Sequence, residues 1–246
     1  MSASAPRTFE VRHVQLARAV FAAIAAVMIT FSPDHSAPLG LSVFSGFAIA
    51  TGLVFLLAAW LVHPTGARWP SMLLGIVYVA AGMVAGVTAL RSTLMFFAVV
   101  IAWAVASGLV ETVVGARTLR AARADAAAPG RSEGRDSLTI GIVTLVLAAG
   151  LLLVPAQYAL QYHIEAAGET FTLTGIVIAV GVFGGYAAIV AVYLAIAGFS
   201  PRRAAPVADA TSAAGAAGSG PAAPAGPAAS AGSAASAQDD ASGQIA

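Results

Sequence analysis

Residues 94–117 read LMFFAVVIAWAVASGLVETVVGAR. Between Leu94 and Arg117 a single residue, Glu111, is charged. A run of this length matches the roughly 20 apolar residues that carry an α-helix across a hydrocarbon core of about 30 Å. Lipid offers no water to backbone N–H and C=O groups, and the run shows no strand-like alternation, so its own helical hydrogen bonds must satisfy them. The stretch therefore predicts a membrane-spanning helix. It also raises a question: why does such a helix hold a carboxylate?

Working outward, the whole chain has the same character. Its 246 residues are 59% hydrophobic and 9% charged, against about 25% charge in a soluble domain. Five further apolar segments join the first, giving spans at 14–31, 39–62, 71–90, 94–116, 137–156 and 173–199. Turn-forming stretches separate them: SPDHSAP, HPTGARWP, RST, an arginine-rich polar segment, and YHIEAAGET. The expected fold is an all-α polytopic membrane protein with six transmembrane helices arranged as three hairpins. Residues 1–13 form a cytoplasmic N-terminal segment and 14–199 the six-helix transmembrane domain. Residues 200–246 are rich in Ala, Pro, Gly and Ser. They cannot bury enough apolar surface to offset chain entropy, so a disordered cytoplasmic tail is expected. The first segment has basic residues, Arg7 and Arg12, before it, as a signal peptide would. It is long for a signal core, and SPDHSAPLG lacks a clean small-x-small cleavage site, so it is taken as a span.

Charge sets the orientation. With the N-terminus inside, the cytoplasm receives Arg7, Arg12, Arg18, Arg68, Arg117, Arg120, Arg123, Arg131, Arg135, Arg202 and Arg203, and the outside only Arg91. That asymmetry places a plasma (inner) membrane protein with both ends cytoplasmic. The absence of cysteine excludes disulfides, thiol catalysis, iron–sulfur ligation and lipidation at cysteine. All basic residues being arginine, with abundant Ala and Gly, points to a GC-rich bacterial genome.

Short internal matches suggest one helical hairpin used three times. Ala50-Thr51-Gly52-Leu53-Val54 in the second segment corresponds to Ala106-Ser107-Gly108-Leu109-Val110 in the fourth. Ser71-x-x-x-Gly75-Ile76-Val77 in the third corresponds to Ser137-x-x-x-Gly141-Ile142-Val143 in the fifth, and both runs reach an Ala-Ala-Gly, at Gly82 and Gly150. Small residues also recur at helix-packing spacing: Gly82 with Gly86, Gly181 with Gly185, and Ala48 with Gly52. Missing side chains let helix backbones approach in lipid. Packing within the bundle is the expected use, and a homo-oligomer contact is the alternative.

On the fourth segment Trp103, Ser107 and Glu111 recur every fourth residue, at 0°, about 40° and about 80° around the helix. Gly108 and Gly115 widen that face to about 140°. Ala102, Ala106, Leu109 and Val113 occupy the other side. The polar and small face is expected to point into the bundle, where the indole N–H of Trp103 would want an acceptor. Trp60 and Trp69 fit the cytoplasmic interfacial belt. Glu111 lies six residues before Arg117, roughly 9 Å along the axis, and so in the inner leaflet. Arg18 lies at comparable depth and is the candidate partner. A structural ion pair or cap is the expected role of Glu111. A residue solvated by snorkelling, or a proton- or ion-handling group, are the alternatives.

Other chemistry is thin. His13, His35, His63 and His163 are scattered over both sides of this topology, so no metal site is expected. No P-loop or dinucleotide fingerprint occurs, and no Ser/His/Asp set shares one depth, so neither an enzyme nor a cofactor is expected. The Arg117–Arg135 stretch suits topology and anionic-lipid contact, with the bilayer rather than nucleic acid as partner. The outer loops carry Asp34, His35, His163, Glu165 and Glu169, groups able to titrate between about pH 4 and 6.5. Tyr158 and Tyr162, one helical turn apart, suit a short interfacial helical extension or the aromatic belt.

The chain resembles the HdeD-like family of acid-resistance membrane proteins. The likeness rests on SMLLGIVYVAAGMVAG and SLTIGIVTLVLAAGLLLVP, on the ending GLVETVVGARTLR, and on six spans in three hairpins. Gly108 and Glu111 fall on the family pattern. The resemblance implies a non-enzymatic inner-membrane protein involved in acid or envelope stress tolerance. A small transporter or channel using the Trp103/Ser107/Glu111 face, or a membrane scaffold subunit, are the alternatives.

Overall fold

The computed structural model describes residues 10–62, 65–124, 130–164 and 169–200. The bulk of the N-terminal segment, the tail from residue 201, and His63 and Glu165 lie outside the described residues. Six long helices form: α1 (Val11–Phe31), α2 (Ala37–Leu61), α3 (Trp69–Gly86), α4 (Thr93–Ala124), α5 (Arg131–Leu153) and α6 (Gly175–Phe199). All six are long and apolar enough to cross a membrane. Single 3₁₀ turns at Thr65–Ala67 and Thr88–Leu90 flank α3.

Local chemistry sets the helix ends. Pro38 and Pro70 stand in the first turns of α2 and α3, where no N–H partner is lost. Val154 takes an extended conformation after α5 (φ −87°, ψ 114°) because Pro155 follows and disfavours a helical predecessor. The span expected at 137–156 therefore stops at Leu153. It also starts earlier, at Arg131, and α4 runs on to Ala124. The Ala-, Arg- and Leu-rich residues between 117 and 124 are good helix formers, so most of the expected polar loop is helix. Gly130, just before α5, has φ +95°, a left-handed conformation that glycine adopts without a Cβ penalty.

Between α5 and α6 the structure overturns one of the two readings of Tyr158 and Tyr162, the short interfacial helical extension. Ala159–Ile164 (β1) and Glu169–Thr174 (β2) pair as an antiparallel hairpin, with Ala159 opposite Thr174, Leu160 opposite Leu173 and Tyr162 opposite Phe171. ALQYHI and ETFTLT alternate polar and apolar residues and are rich in aromatic and Thr residues. That is a period of two, which suits strands rather than a helix. Residues 173–174 thus belong to β2 and not to the sixth span. The hairpin closes onto the bundle through the Gly175 N–H, which donates to the Tyr158 carbonyl at 2.8 Å. A Cβ at Gly175 would overlap the Pro155 carbonyl oxygen.

Glycine decides which helices lie closest. A Cβ at Gly52 of α2 would sit 2.9 Å from the Val79 nitrogen and 3.0 Å from the Gly75 carbonyl of α3. At Gly108 of α4 it would sit 3.1 Å from the Gly141 carbonyl of α5, and at Gly115, 2.5 Å from the Leu138 nitrogen. On α6, Gly184 meets Ile29 and Gly198 meets Leu16, both of α1. The tight antiparallel pairs are therefore α2–α3, α4–α5 and α6–α1. Gly52/Gly75 and Gly108/Gly141, matched in sequence, are the same crossing in space. The third copy is split between the two ends of the chain, with α6 paired to α1. Once α6 is set beside α2, a further match appears: Val43-Phe44-Ser45-Gly46-Phe47-Ala48 against Val182-Phe183-Gly184-Gly185-Tyr186-Ala187.

Burial follows this threefold repetition. Equivalent positions Phe44, Val100 and Phe183 are buried, as are Phe47, Trp103 and Tyr186, and Ala48, Ala104 and Ala187. On the other helices Ala19, Gly75 and Gly141 are buried, and likewise Ile29, Ala85 and Leu151. The core is thus a stack of equivalent layers along one axis. The outward faces carry Phe31, Leu94, Leu153 and Phe199, all strongly exposed, as a lipid-facing surface requires. Two glycines expected in helix packing are corrected here: Gly181 and Gly185 are exposed, and nothing described lies within 4 Å of a Cβ placed on either. Gly184, between them, makes the contact with α1. Gly82 packs against Ile49 and Ser45, and Gly86 approaches the Ser45 hydroxyl.

Candidate functional site

The face of α4 that carries Glu111 turns inward. Trp103, Ser107, Gly108, Glu111 and Gly115 are buried, while Ala102, Leu109 and Val113 are exposed. This follows from the 100° step, which sets the small and polar residues on one side and the aliphatic ones on the other. Glu111 is 1% exposed. Its Oε1 accepts a hydrogen bond from Nη2 of Arg18 at 2.7 Å. The pair ties α1 to α4.

The repeat explains the surroundings of Arg18. Phe55 and Leu194 are the counterparts of Glu111 on α2 and α6. The Arg18 guanidinium carbon lies 4.3 Å from the Phe55 ring centroid, a cation–π contact. The Gly115 and Gly198 crossings align α1 with α5, which makes Leu74 and Ile140 the counterparts of Arg18. All six residues of this layer line one cavity of about 480 Å³. One turn nearer the mouth come Gln15, Ser71 and Ser137, again equivalent, and again lining it. The cavity therefore lies on the bundle axis, at the end where α1, α3 and α5 begin. Its floor would be fully apolar by repetition. Arg18 and Glu111 are the two departures, and they stand side by side.

Behind the floor the axis is filled. Trp103 packs edge-on against Tyr78 (5.1 Å), Phe44 (5.1 Å), Phe47 (5.9 Å) and Tyr186 (6.0 Å). The Tyr186 hydroxyl and Thr144 Oγ1 share a hydrogen bond at 3.0 Å. Tyr78 couples electrostatically to Arg18, Glu111 and Tyr186. At the mouth Asp136 accepts hydrogen bonds from Gln15 Nε2 at 2.7 Å and from the Tyr193 hydroxyl at 3.1 Å, joining α1, α5 and α6.

Four buried polar atoms of this region have no hydrogen-bond partner among the described residues: Arg18 Nε, Glu111 Oε2, Trp103 Nε1 and Thr51 Oγ1. The acceptor expected for the Trp103 indole is thus replaced by aromatic neighbours. Ser107 does not reach the ion pair. Its hydroxyl donates to the Trp103 carbonyl at 2.7 Å within the same helix. Of the four residues of the expected polar site, the structure joins Arg18 and Glu111 and leaves Trp103 and Ser107 in the layers behind them. Tyr78, Tyr186, Thr144, Gln15 and Asp136 did not stand out in sequence. The available signal was Gln15 three residues before Arg18, one polar face within an apolar helix.

In the loop between α1 and α2, Asp34 accepts from the Ser36 backbone N–H at 2.8 Å and from the Ser36 hydroxyl at 2.7 Å. These bonds stabilise the ionised form and hold the carboxyl below the usual carboxylate value. Asp34 therefore titrates below the mildly acidic range in which the outer loops were expected to respond. The side chains of His163 and Glu169 lie outside the described set.

Fold and site together define a multi-pass membrane protein with an axial polar pair. No family model, curated protein or solved structure matches the chain.

Proposed function

We propose that the chain is a non-enzymatic protein of the inner membrane, with both termini cytoplasmic, that serves in acid or envelope stress tolerance as its HdeD-like resemblance implies. The observation that supports this reading is the Arg18–Glu111 pair, whose two charges are held against each other at the end of a cavity open at one end of the bundle. The arginine-rich segments lie toward the cavity end, which supports a cytoplasmic placement of that end under the positive-inside rule. A strain lacking the protein should survive acid shock less well than wild type, and the intact chain should restore survival. Equal survival of the two strains removes the stress role. Reporter fusions near residue 127 and in the loop holding Arg91 test the orientation, which a periplasmic signal at the former overturns.

Transport along the axis is the second reading, favoured by the axial position of the cavity. The packed layer of Trp103, Tyr78, Phe47 and Tyr186 stands against an open conduit. Proton or solute flux in proteoliposomes that disappears in Glu111→Gln would favour it.

A further inference from the structure

Arg18 Nε is a donor without an acceptor, and Oε2 of its partner Glu111 is an acceptor without a donor. Both belong to residues that form the floor of the axial cavity. Around the pair the floor is apolar, with Phe55, Leu74, Ile140 and Leu194, and the walls above it mix Val14 and Val114 with the polar Gln15, Ser71 and Ser137. A volume near 480 Å³ lies in the range of small-molecule sites, which combine apolar walls with a few placed polar groups. A carboxylic acid group offers an acceptor and a donor on adjacent oxygens, opposite in kind to the two unpartnered atoms. Its hydrocarbon body suits the walls better than water does.

We propose that the cavity binds a small monocarboxylic acid together with one proton. One ligand oxygen accepts from Arg18 Nε. The other shares the proton with Glu111 Oε2, so the carboxylate and Glu111 carry one negative charge between them, facing Arg18. Both atoms are buried just behind the cavity surface, so the ligand binds with a rotation of both the Arg18 and the Glu111 side chain toward it. The N-terminal ends of α1, α3 and α5 surround the mouth, and their dipoles favour an entering anion. The ionisable groups facing Glu111 are Arg18 on α1, Tyr78 on α3 and Tyr186 on α6. Arg117 on α4 and Glu133 and Asp136 on α5 line the cavity nearer its mouth, and α2 contributes Phe55. This site goes beyond the stress role and stands or falls apart from it.

The test is calorimetric titration of benzoate into the full chain in nanodiscs, at several pH values and in two buffers of different ionisation enthalpy. Saturable binding is expected, with uptake of one proton and an affinity that weakens about tenfold per pH unit above neutrality. Benzamide, which carries its own donor and acceptor, should bind without that pH dependence. Glu111→Gln supplies an amide donor where the proton sat, so its benzoate binding should become pH-independent. Arg18→Gln should weaken binding at least tenfold. Should Arg18→Gln fail to fold, Val114→Trp decides: it fills the cavity, leaves the ion pair in place, and should abolish binding. No saturable binding by wild type, binding without proton uptake, or binding unchanged in Val114→Trp each overturns the proposal.

Discussion

Replacing Glu111 by leucine leaves the Arg18 guanidinium buried and without its counter-ion. Arg18 is 9% exposed and keeps its contact with Phe55 at 4.3 Å, which wild type already has. Breaking a buried pair from one side costs about 3–5 kcal/mol. The double variant Arg18→Leu with Glu111→Leu behaves differently. It gives this layer the residue types found at its repeat counterparts Leu74 and Leu194, so the layer becomes apolar throughout. Replacing a buried pair by packed apolar residues is neutral or stabilising by about 1–4 kcal/mol. A chain of this length shifts its Tm by about 2–4 °C per kcal/mol. Glu111→Leu should then melt about 6–20 °C below wild type, and the double variant within a few degrees of it or above. The measurement is thermal unfolding of the full chain in detergent by tryptophan fluorescence, with denaturant titration to complete the double-mutant cycle. A double variant as unstable as Glu111→Leu would refute the reasoning. It would mean that Glu111 acts through something other than neutralising Arg18.

Two further outcomes follow from the geometry. Gly141→Ala places a Cβ 2.5 Å from the Thr112 nitrogen, and Gly52→Ala one 2.9 Å from that of Val79. Each should cost about 1–3 kcal/mol by overpacking, whereas Gly181→Ala and Gly185→Ala should stay within about 0.5 kcal/mol or gain stability; equal losses in the same unfolding assay would remove the proposed pairing of helices. The Asp34 carboxyl, held low by Ser36, has a folded value below its unfolded one, so its contribution is complete above the unfolded value and is lost as pH falls through the lowered folded value. A carboxyl-carbon NMR titration should show a low midpoint that rises in Ser36→Ala, and an unchanged midpoint would show that Ser36 is not the cause.

The six spans were legible because each had to satisfy its backbone within lipid, which leaves long apolar runs that no soluble fold needs. The inward face of α4 was legible from the helical step alone, as was the depth that made Arg18 a partner for Glu111. The hairpin before α6 was obscured because its alternation is short and lies among residues that also look like a turn. Gly181 and Gly185 matched a packing pattern, yet it is Gly184, between them, that meets α1, since spacing along one helix cannot say which helix lies opposite. The Ala-Ala-Gly match misled in the same way: Gly82 is buried in a crossing, while nothing described lies within 4 Å of a Cβ on Gly150.

The sequence by itself determined a membrane protein of six helices and a carboxylate on the inward face of one of them, because solvent, backbone and periodicity act locally along the chain. Only the tertiary structure decided that α6 and α1 complete the third repeat across the ends of the chain. It also decided that Arg18, Glu111 and Phe55 meet on the axis at the floor of a cavity. Those contacts join residues remote in sequence, and they are set by where glycines let helices approach.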